Sequence, residues 1–289
     1  MPRNDLEKSY RSDRDCFCFV CFLGMSILIT GAAGFIGTRL VSSLAEAAVG
    51  LDILPLSGLQ VDICKFLDLS LALTPYLNQI EYVVHLAAKP GVMESIENPA
   101  ACAEANIVGT INLLTLCRQM PRLRRILLAS SSCAEQPICP YGVSKRSLEL
   151  FAESLSSLWN LPVVALRFFS VYGDARRADM VIPTFIKNAK RGEPLVVYGD
   201  PSREFTHVDD IVAGIIHCMR IPYRGYEQFD LSTGQLVTVK SLAELIGIGC
   251  LIQQMPARAG ERQEGTRASK LPTGWISKIN IKAGLTDFY

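Results

Sequence analysis

The stretch SILITGAAGFIGTRL, residues 26–40, joins a short apolar run directly to a glycine-rich turn. The run SILIT is uncharged and rich in β-branched residues, which is typical of a buried strand. Gly31, Gly34 and Gly37 follow at three-residue intervals, and a helical pattern occupies residues 35–48. The order strand, glycine turn, helix predicts a loop whose backbone N–H groups bind phosphate at a helix N-terminus.

Each glycine has a physical reason in such a loop, and an acidic residue further on indicates which ligand is bound. Gly31 permits the tight turn, Gly34 lets the backbone approach a pyrophosphate, and Gly37 lets the helix pack against the strand. Asp52 ends the next apolar run, AAVGLD, where a carboxylate can bind the ribose hydroxyls of NAD and repel the 2′-phosphate of NADP. No Lys or Arg follows within residues 53–60, so the sequence predicts NAD as the cofactor.

The uncharged run from Cys16 to Thr38 also has the length of a membrane span. The glycine turn occupies its second half, which favours the strand and leaves residues 1–24 unexplained. Because Met25 stands where the strand should begin, we expect residues 1–24 to be a dispensable N-terminal extension. A cleaved or anchoring segment is the alternative for these residues.

Composition narrows the class of protein. The chain has 289 residues, a formal net charge of +1 and 49% hydrophobic residues, as expected of a globular protein. The charge balance and the absence of a basic run give no indication of nucleic-acid binding. The ten cysteines lie mostly in apolar runs and are interpreted as reduced thiols of a cytoplasmic protein. Cys16, Cys18 and Cys21 have no His or second Cys pair nearby, so no metal site is predicted.

Strand and helix patterns alternate through the first half of the chain. This alternation predicts a doubly wound parallel sheet, an α/β Rossmann domain over residues 25–169. After residue 170 the elements become shorter, which predicts a smaller mixed α/β substrate lobe over residues 170–289. The helix predicted over residues 144–159 is amphipathic. Its apolar side is expected to carry Leu148, Phe151, Leu155 and Leu158. The predicted strands are 81–88, 123–131 and 161–169, and the predicted helices are 98–119 and 144–159.

The segment YGVSK spaces Tyr141 and Lys145 four residues apart, on one face of a helix. Bringing a tyrosine pKa from about 10 to about 7 requires roughly 4 kcal/mol of preferential phenolate stabilisation. A lysine ammonium and the nicotinamide cation can supply it. The phenolate can then take a hydroxyl proton while a hydride leaves to NAD⁺. A surface pair is the alternative for an isolated Tyr-x-x-x-Lys, but here the pair follows a glycine turn and a strand ending in ASSS.

Eight segments together match one family. They are TGAAGFIG (30–37), VDI (61–63), HLAA (85–88), NIVGT (106–110), PYGVSK (140–145), RFFSVYG (167–173), REFTHVDD (203–210) and PARAGE (256–261). Over residues 25–289 the chain resembles the extended short-chain dehydrogenase/reductase family, in its NAD-dependent nucleotide-sugar epimerase/dehydratase branch.

The resemblance implies a role for each matching residue. Tyr141 would be the base, Lys145 would hold the nicotinamide ribose, and Ser131 would bond the reacting sugar oxygen, with Ser130 and Ser132 as alternatives. Arginines would clamp the nucleotide diphosphate. The implied cofactor contacts are Gly31, Gly34, Phe35, Ile36, Gly37, Asp52, Asp62, Ile63, Leu86, Ala87, Ala88, Asn106, Tyr141 and Lys145. The implied substrate contacts are Ser95, Ser131, Ser132, Ser170, Val181, Arg203, Arg258 and Glu261.

The residues after Ser131 bear on the reaction that the resemblance implies. Dehydratases and decarboxylases of this branch carry acidic residues directly after the catalytic serine or threonine, whereas here Ser132, Cys133 and Ala134 follow. This favours 4-epimerisation of a UDP-hexose by transient oxidation at C4, rotation of the 4-keto sugar and hydride return. UDP-glucose and UDP-glucuronate remain alternatives, and Arg176 or Arg177 could hold a uronate.

Other reactions and functions stay open at this point. The loop CAEQPIC, residues 133–139, is shorter than the family usually has between the serine and the tyrosine. A 4,6-dehydratase, a decarboxylase, a reductase or a non-catalytic NAD-binding homologue is therefore the alternative to an epimerase. A homodimer formed through the helices at 98–119 and 144–159 is implied by the resemblance, although their apolar faces could equally belong to the core. The resemblance also implies a part in polysaccharide synthesis, with no membrane partner.

Overall fold

The computed structural model describes residues 26–54, 58–173 and 179–288. The predicted extension at 1–24 and the predicted contacts Arg176 and Arg177 lie outside these residues. The strands are β1 Ser26–Thr30, β2 Ala48–Asp52, β3 Leu59–Gln60, β4 Ile80–His85, β5 Arg125–Ser131, β6 Val163–Phe168, β7 Ser170–Tyr172, β8 Leu195–Tyr198, β9 Ser202–His207, β10 Tyr226–Leu231, β11 Leu236–Thr238 and β12 Ile252–Met255. The helices are α1 Phe35–Leu44, α2 Phe66–Leu73, α3 Val92–Glu97, α4 Pro99–Ala103, α5 Gly109–Cys117, α6 Pro140–Trp159, α7 Val181–Arg191, α8 Val208–Arg220, α9 Val239–Ile246 and α10 Ile281–Gly284.

Seven parallel strands form the central sheet in the order β10-β6-β5-β4-β1-β2-β3. Strands β4 and β6 are buried along their whole length, as expected for a sheet covered on both faces. Helices α1 and α8 cover one face, and α2, α5 and α6 cover the other. This arrangement confirms the doubly wound α/β fold predicted from the alternating patterns.

Two local predictions differ from the structure. The helix expected over 35–48 ends at Leu44, where Ala45 takes a positive φ of 47°, and β2 begins at Ala48 because its backbone pairs with β1. The predicted apolar side of α6 also differs, since Leu148 is buried while Phe151 and Leu158 are exposed. The buried face of α6 is instead made largely of small and polar residues, among them Gly142, Ser144, Lys145, Glu149, Ala152 and Ser156.

The second lobe contains a three-stranded sheet, β11-β9-β7, and a two-stranded sheet, β12-β8. The first is mixed, because β11 pairs antiparallel and β7 parallel to β9. Helices α7 and α9 pack on these strands around a separate apolar cluster that includes Phe185 and Leu242. The chain then returns to the first unit, since α8 packs on the central sheet and β10 pairs with β6. Residues after the boundary predicted at 169 therefore belong in part to the first unit.

Within the described part of the chain, the helical stretch Pro99–Cys117 is long and apolar enough to cross a membrane, judged by length and composition alone. It comprises α4, a π turn at Glu104–Val108, and α5. Leu113, Leu114 and Leu116 belong to the apolar core under the central sheet. Core helices pass the same test, and these contacts identify the stretch as one.

One carboxylate of α8 holds residues 277–279 of the segment after β12. Asp210 is buried, and its Oδ2 accepts hydrogen bonds from the Ser277 hydroxyl at 2.7 Å and the backbone N–H groups of Lys278 at 3.0 Å and Ile279 at 2.8 Å. Residues 277–279 are therefore held by an anionic acceptor.

We expect Asp210→Asn to lower the free energy of unfolding by about 1.5–3 kcal/mol, because an amide replaces a charged acceptor. Urea denaturation would measure the change. The matched control is Asp209→Asn, which removes an exposed ion pair to Arg39 and should cost no more than about 1 kcal/mol. Equal losses in the two variants would contradict the role assigned to Asp210.

Candidate active site

A cleft of about 780 Å³ lies at the carboxyl ends of the central strands. It opens where the strand order reverses between β1 and β4, the position at which doubly wound sheets bind their ligands. Its walls come from the glycine turn, the ends of β2, β4 and β5, the start of α6 and the second lobe. The predicted site residues that line it are Gly31, Gly34, Phe35, Ile36, Gly37, Asp52, Asp62, Ile63, Leu86, Ala87, Ala88, Ser131, Ser132, Tyr141, Lys145, Ser170, Arg203 and Glu261.

The glycine turn leaves no room for side chains. Gly31 has a φ of 72°, and a Cβ there would lie 2.6 Å from the Ala87 backbone nitrogen. A Cβ on Gly37 would overlap the Gly31 carbonyl oxygen. Gly34 precedes α1 and provides no side-chain cap, so the first N–H groups of the helix remain available to a ligand. This geometry fits the pyrophosphate of a dinucleotide.

Two carboxylates, those of Asp52 and Asp62, line one end of the cleft. Asp52 accepts hydrogen bonds from the Ala33 N–H at 2.8 Å and the Leu54 N–H at 3.1 Å, which fixes the carboxylate at the edge of the cleft. Each carboxylate oxygen has a second acceptor site, so this fixed group can still bind ribose hydroxyls. Asp62 accepts the Cys64 N–H at 2.9 Å and lines the same end of the cleft. The residues present therefore fit NAD.

Tyr141 and Lys145 lie in the first turns of α6. The Lys145 ammonium is buried, donates to the Ala129 carbonyl oxygen at 2.7 Å, and lies 6.0 Å from the centroid of the Tyr141 ring. Burial lowers the pKa of Lys145 to about 8, so the charged form persists at neutral pH. The Tyr141 N–H donates to the Ser95 hydroxyl at 3.0 Å, which fixes the start of the helix.

A buried histidine supports the floor of the cleft. His85 at the end of β4 bonds the Thr30 hydroxyl through Nδ1 at 2.6 Å and the Thr110 hydroxyl through Nε2 at 2.9 Å. Burial, followed by the charge of Lys145, lowers the pKa of His85 to about 3. The ring is therefore neutral and joins β1, β4 and α5 as a structural link.

Four predicted contacts do not line the cleft. Asn106 is buried and ties the Lys89 backbone to the Ser144 hydroxyl. Ser95 is buried and bonds the start of α6, as described above. Val181 lines a small neighbouring cavity. The Arg258 guanidinium stacks 3.7 Å from the centroid of the Tyr198 ring. The structure thus gives Asn106 and Ser95 bracing contacts and holds Arg258 on the second lobe.

A different arginine of the same loop lines the cleft. Arg262 donates to the Gln136 amide oxygen at 2.7 Å and to the Thr266 hydroxyl at 2.8 Å, so it joins the 133–139 loop to the second lobe. Arg203 also lines the cleft, and burial lowers its pKa while Glu261 acts in the opposite direction. Sequence reasoning missed Arg262, although it directly follows the segment PARAGE.

Residues 27–231 match the NAD dependent epimerase/dehydratase family. The chain belongs to this family. Its membership confirms the expected enzyme class and the expected cofactor, NAD. The chain is 33% identical to a UDP-glucuronate 4-epimerase of Thermodesulfobacterium geofontis over 76% of its own length and 79% of that protein.

Two solved structures illustrate the similarity. A UDP-glucuronic acid 4-epimerase from Bacillus cereus, in complex with UDP-glucuronic acid and NAD, superposes with a TM-score of 0.80 at 26% identity, covering 91% of this chain and 97% of that one. A UDP-glucose 4-epimerase from Thermotoga maritima, bound to UDP-glucose, gives 0.81 at 28% identity, covering 90% and 96%.

We expect Asp52→Asn to weaken NADH binding by about 10-fold, because a charged hydrogen-bond acceptor is lost, and to narrow the preference for NADH over NADPH. Displacement of the bound nucleotide by NADH or NADPH, followed by nicotinamide fluorescence, would measure both. Glu46→Gln is the control, since Glu46 is exposed just before β2 and carries the same charge. An unchanged preference in Asp52→Asn would contradict this role.

Proposed function

We propose that the protein is an NAD-dependent UDP-sugar 4-epimerase. The observation that carries the proposal is that Ser131, Tyr141 and Lys145 share one cleft with a complete dinucleotide-binding turn and with Arg203 of the second lobe. Such a cleft can hold a nucleotide sugar against a hydride acceptor and exclude bulk water from the exchange.

Tyr141 takes the proton of the sugar C4 hydroxyl, and Ser131 donates a hydrogen bond to the same oxygen. The charged Lys145 stabilises the phenolate and would hold the nicotinamide ribose of bound NAD. Bound NAD⁺ supplies the acceptor, and afterwards the donor, of the hydride exchanged at C4. Tyr141 returns its proton to the oxygen once the 4-keto sugar has turned its other face, which completes the inversion.

The loop that follows Ser131 supports epimerisation over dehydration. Glu135 is exposed and is not part of the cleft wall, so the 133–139 loop contributes no carboxylate among the described residues that line it. Glu204 does line the cleft, but its carboxylate accepts backbone N–H groups of Gly234 and Ala268 at 3.0 Å. A second acid beside the reacting carbon is what a dehydratase or decarboxylase requires.

UDP-glucuronate and UDP-glucose are the candidate substrates. The identity to the Thermodesulfobacterium protein and the likeness to the Bacillus structure support the uronate, and the Thermotoga structure supports glucose. Arg203 and Arg262 give the cleft two guanidinium groups, which suit a diphosphate. If the substrate is UDP-glucuronate, they also suit its sugar carboxylate. We take UDP-glucuronate as the first to test.

Proton NMR of the purified protein with either UDP-sugar, without added cofactor, should reveal a new anomeric signal from the C4 epimer. Tyr141→Phe should slow its appearance by about 100-fold or more, because general acid–base catalysis is lost. The control is Tyr76→Phe, which changes the same hydroxyl on a half-buried tyrosine outside the cleft. A product of different mass, or conversion that consumes NAD, would replace epimerisation by another reaction.

We also propose that the protein is a cytoplasmic homodimer. The outer face of α6 carries Val143, Leu150, Phe151 and Leu158, all exposed, and Val108 on the adjacent π turn is exposed as well. Exposed apolar side chains grouped on one helix face favour a cover, and a second copy related by a two-fold axis supplies an identical face. The occupant proposed is therefore a second copy of this chain.

Leu158→Glu should shift the protein from dimer to monomer in sedimentation velocity experiments, because a charge would be buried at the interface. Ile248→Glu is the control, since Ile248 lies on the second lobe and is even more exposed than Leu158. A monomeric parent protein, or a Leu158→Glu variant that remains a dimer, would contradict this interface.

A further inference from the structure

Glu149 is a buried carboxylate one helical turn beyond Lys145, and the reaction described above does not use it. Its Oε1 accepts the Ser130 hydroxyl at 2.6 Å and the Arg167 Nε at 2.8 Å. Its Oε2 accepts the Arg167 Nη2 at 2.8 Å and the Arg146 Nη1 at 3.1 Å. The Glu149 side chain is only 1% exposed, so both oxygens are held without help from bulk water.

The partners of Glu149 belong to segments that build the catalytic end of the cleft. Ser130 lies on β5 between Ala129, whose carbonyl oxygen accepts the Lys145 ammonium, and the predicted catalytic Ser131. Arg167 lies near the end of β6, directly before Phe168, Phe169 and Ser170 of the cleft wall. One carboxylate therefore joins α6 to the ends of two neighbouring strands.

The charge of Glu149 also acts on Lys145. Burial lowers the pKa of Lys145, and Cys102 and Glu149 act in the opposite direction. His85 on β4, whose pKa is lowered by burial and by the charge of Lys145, is neutral. Around the ion pair between Glu149 and Arg167, Asp230 and Glu135 raise the pKa of Arg167, in addition to Glu149.

Two further groups complete the surroundings of the pair. Tyr226 on β10 is kept protonated by burial and by the charge of Glu149. Arg146 is partly exposed on the outer side of α6, and its guanidinium forms an ion pair with Glu149 from the solvent side. Glu149 is therefore the buried anion that stands one turn from the Lys145 ammonium.

We propose that Glu149 is a positioning residue, which holds the end of β5 against the catalytic helix and places its buried negative charge one helical turn from the Lys145 amine. The second part of this role concerns catalysis only through the proposed function, in which charged Lys145 stabilises the Tyr141 phenolate. The contacts and the charge of Lys145 can be tested without any substrate.

The test is an NMR titration of the NAD-loaded protein labelled with ¹³C at lysine Cε. The Lys145 signal is identified by its loss in Lys145→Met, and it should titrate near pH 8, well below the value of about 10.4 for exposed lysines. In Glu149→Gln its midpoint should fall by about 1 pH unit, because a nearby opposite charge is removed. Glu149→Asp keeps the charge and should restore most of the midpoint.

Glu153→Gln is the matched control, because Glu153 is exposed on the same helix one turn further on. It should leave the Lys145 midpoint within about 0.2 pH unit of the parent value, since solvent screens exposed charges. A folded Glu149→Gln protein with an unchanged midpoint would overturn the proposal, as would an equal shift in Glu153→Gln.

A measurement on the parent protein covers the case in which Glu149→Gln does not fold. The ¹³C signal of the Glu149 carboxyl carbon should show an inflection at the pH where Lys145 loses its proton, and no such inflection would overturn the proposal. Activity adds a separate arm. If epimerisation is found, the alkaline limb of its pH profile should move to lower pH in Glu149→Gln alone, whereas absence of epimerisation leaves the titration result valid.

Discussion

The close approach of the glycine turn to the chain after β4 is the constraint on which the rest of the structure depends. The Ala32 N–H bonds the Leu51 carbonyl oxygen of β2, and the Leu86 N–H bonds the Thr30 carbonyl oxygen of β1. The turn is therefore held between two neighbouring strands with no space for a Cβ at Gly31. This contact aims the first N–H groups of α1 across the strand ends and leaves the cleft open above them.

The sheet and its glycine turn could be predicted because their signals are local. A β-branched apolar run and three spaced glycines restrict the backbone whatever surrounds them. The buried face of α6 could not be predicted in the same way. Phe151 and Leu158 are more apolar than Lys145 and Glu149, yet they face outward while the charged pair is buried. The difference arises because Arg167 and the Ala129 carbonyl compensate the buried charges, and both lie elsewhere in the sequence.

The second lobe shows the same limit at the level of single residues. Arg258 and Arg262 lie in one loop, and the family resemblance favoured the first of them as a ligand-binding group. The structure holds Arg258 over the Tyr198 ring, whereas Gln136 on the opposite wall holds Arg262 in the cleft. The direction of a long side chain is thus determined by a partner 126 residues away, which no local pattern contains. Asn106 and Ser95 likewise lie beside the cleft, because their hydrogen-bond partners, Ser144 and Tyr141, are distant in the sequence.

The π turn at Glu104–Val108 has a consequence for the length of its helix. A π turn inserts one residue into the α-helical repeat, and one residue corresponds to a rotation of about 100° around the helix axis. With this insertion Asn106 is buried and bonds the backbone of Lys89, while Val108, two residues later, faces outward. Loss of any one residue here would turn both faces out of phase together. The number of residues in this helix is therefore constrained as tightly as the identity of any residue in it. Related sequences should lack insertions and deletions in this segment, even where they tolerate substitutions.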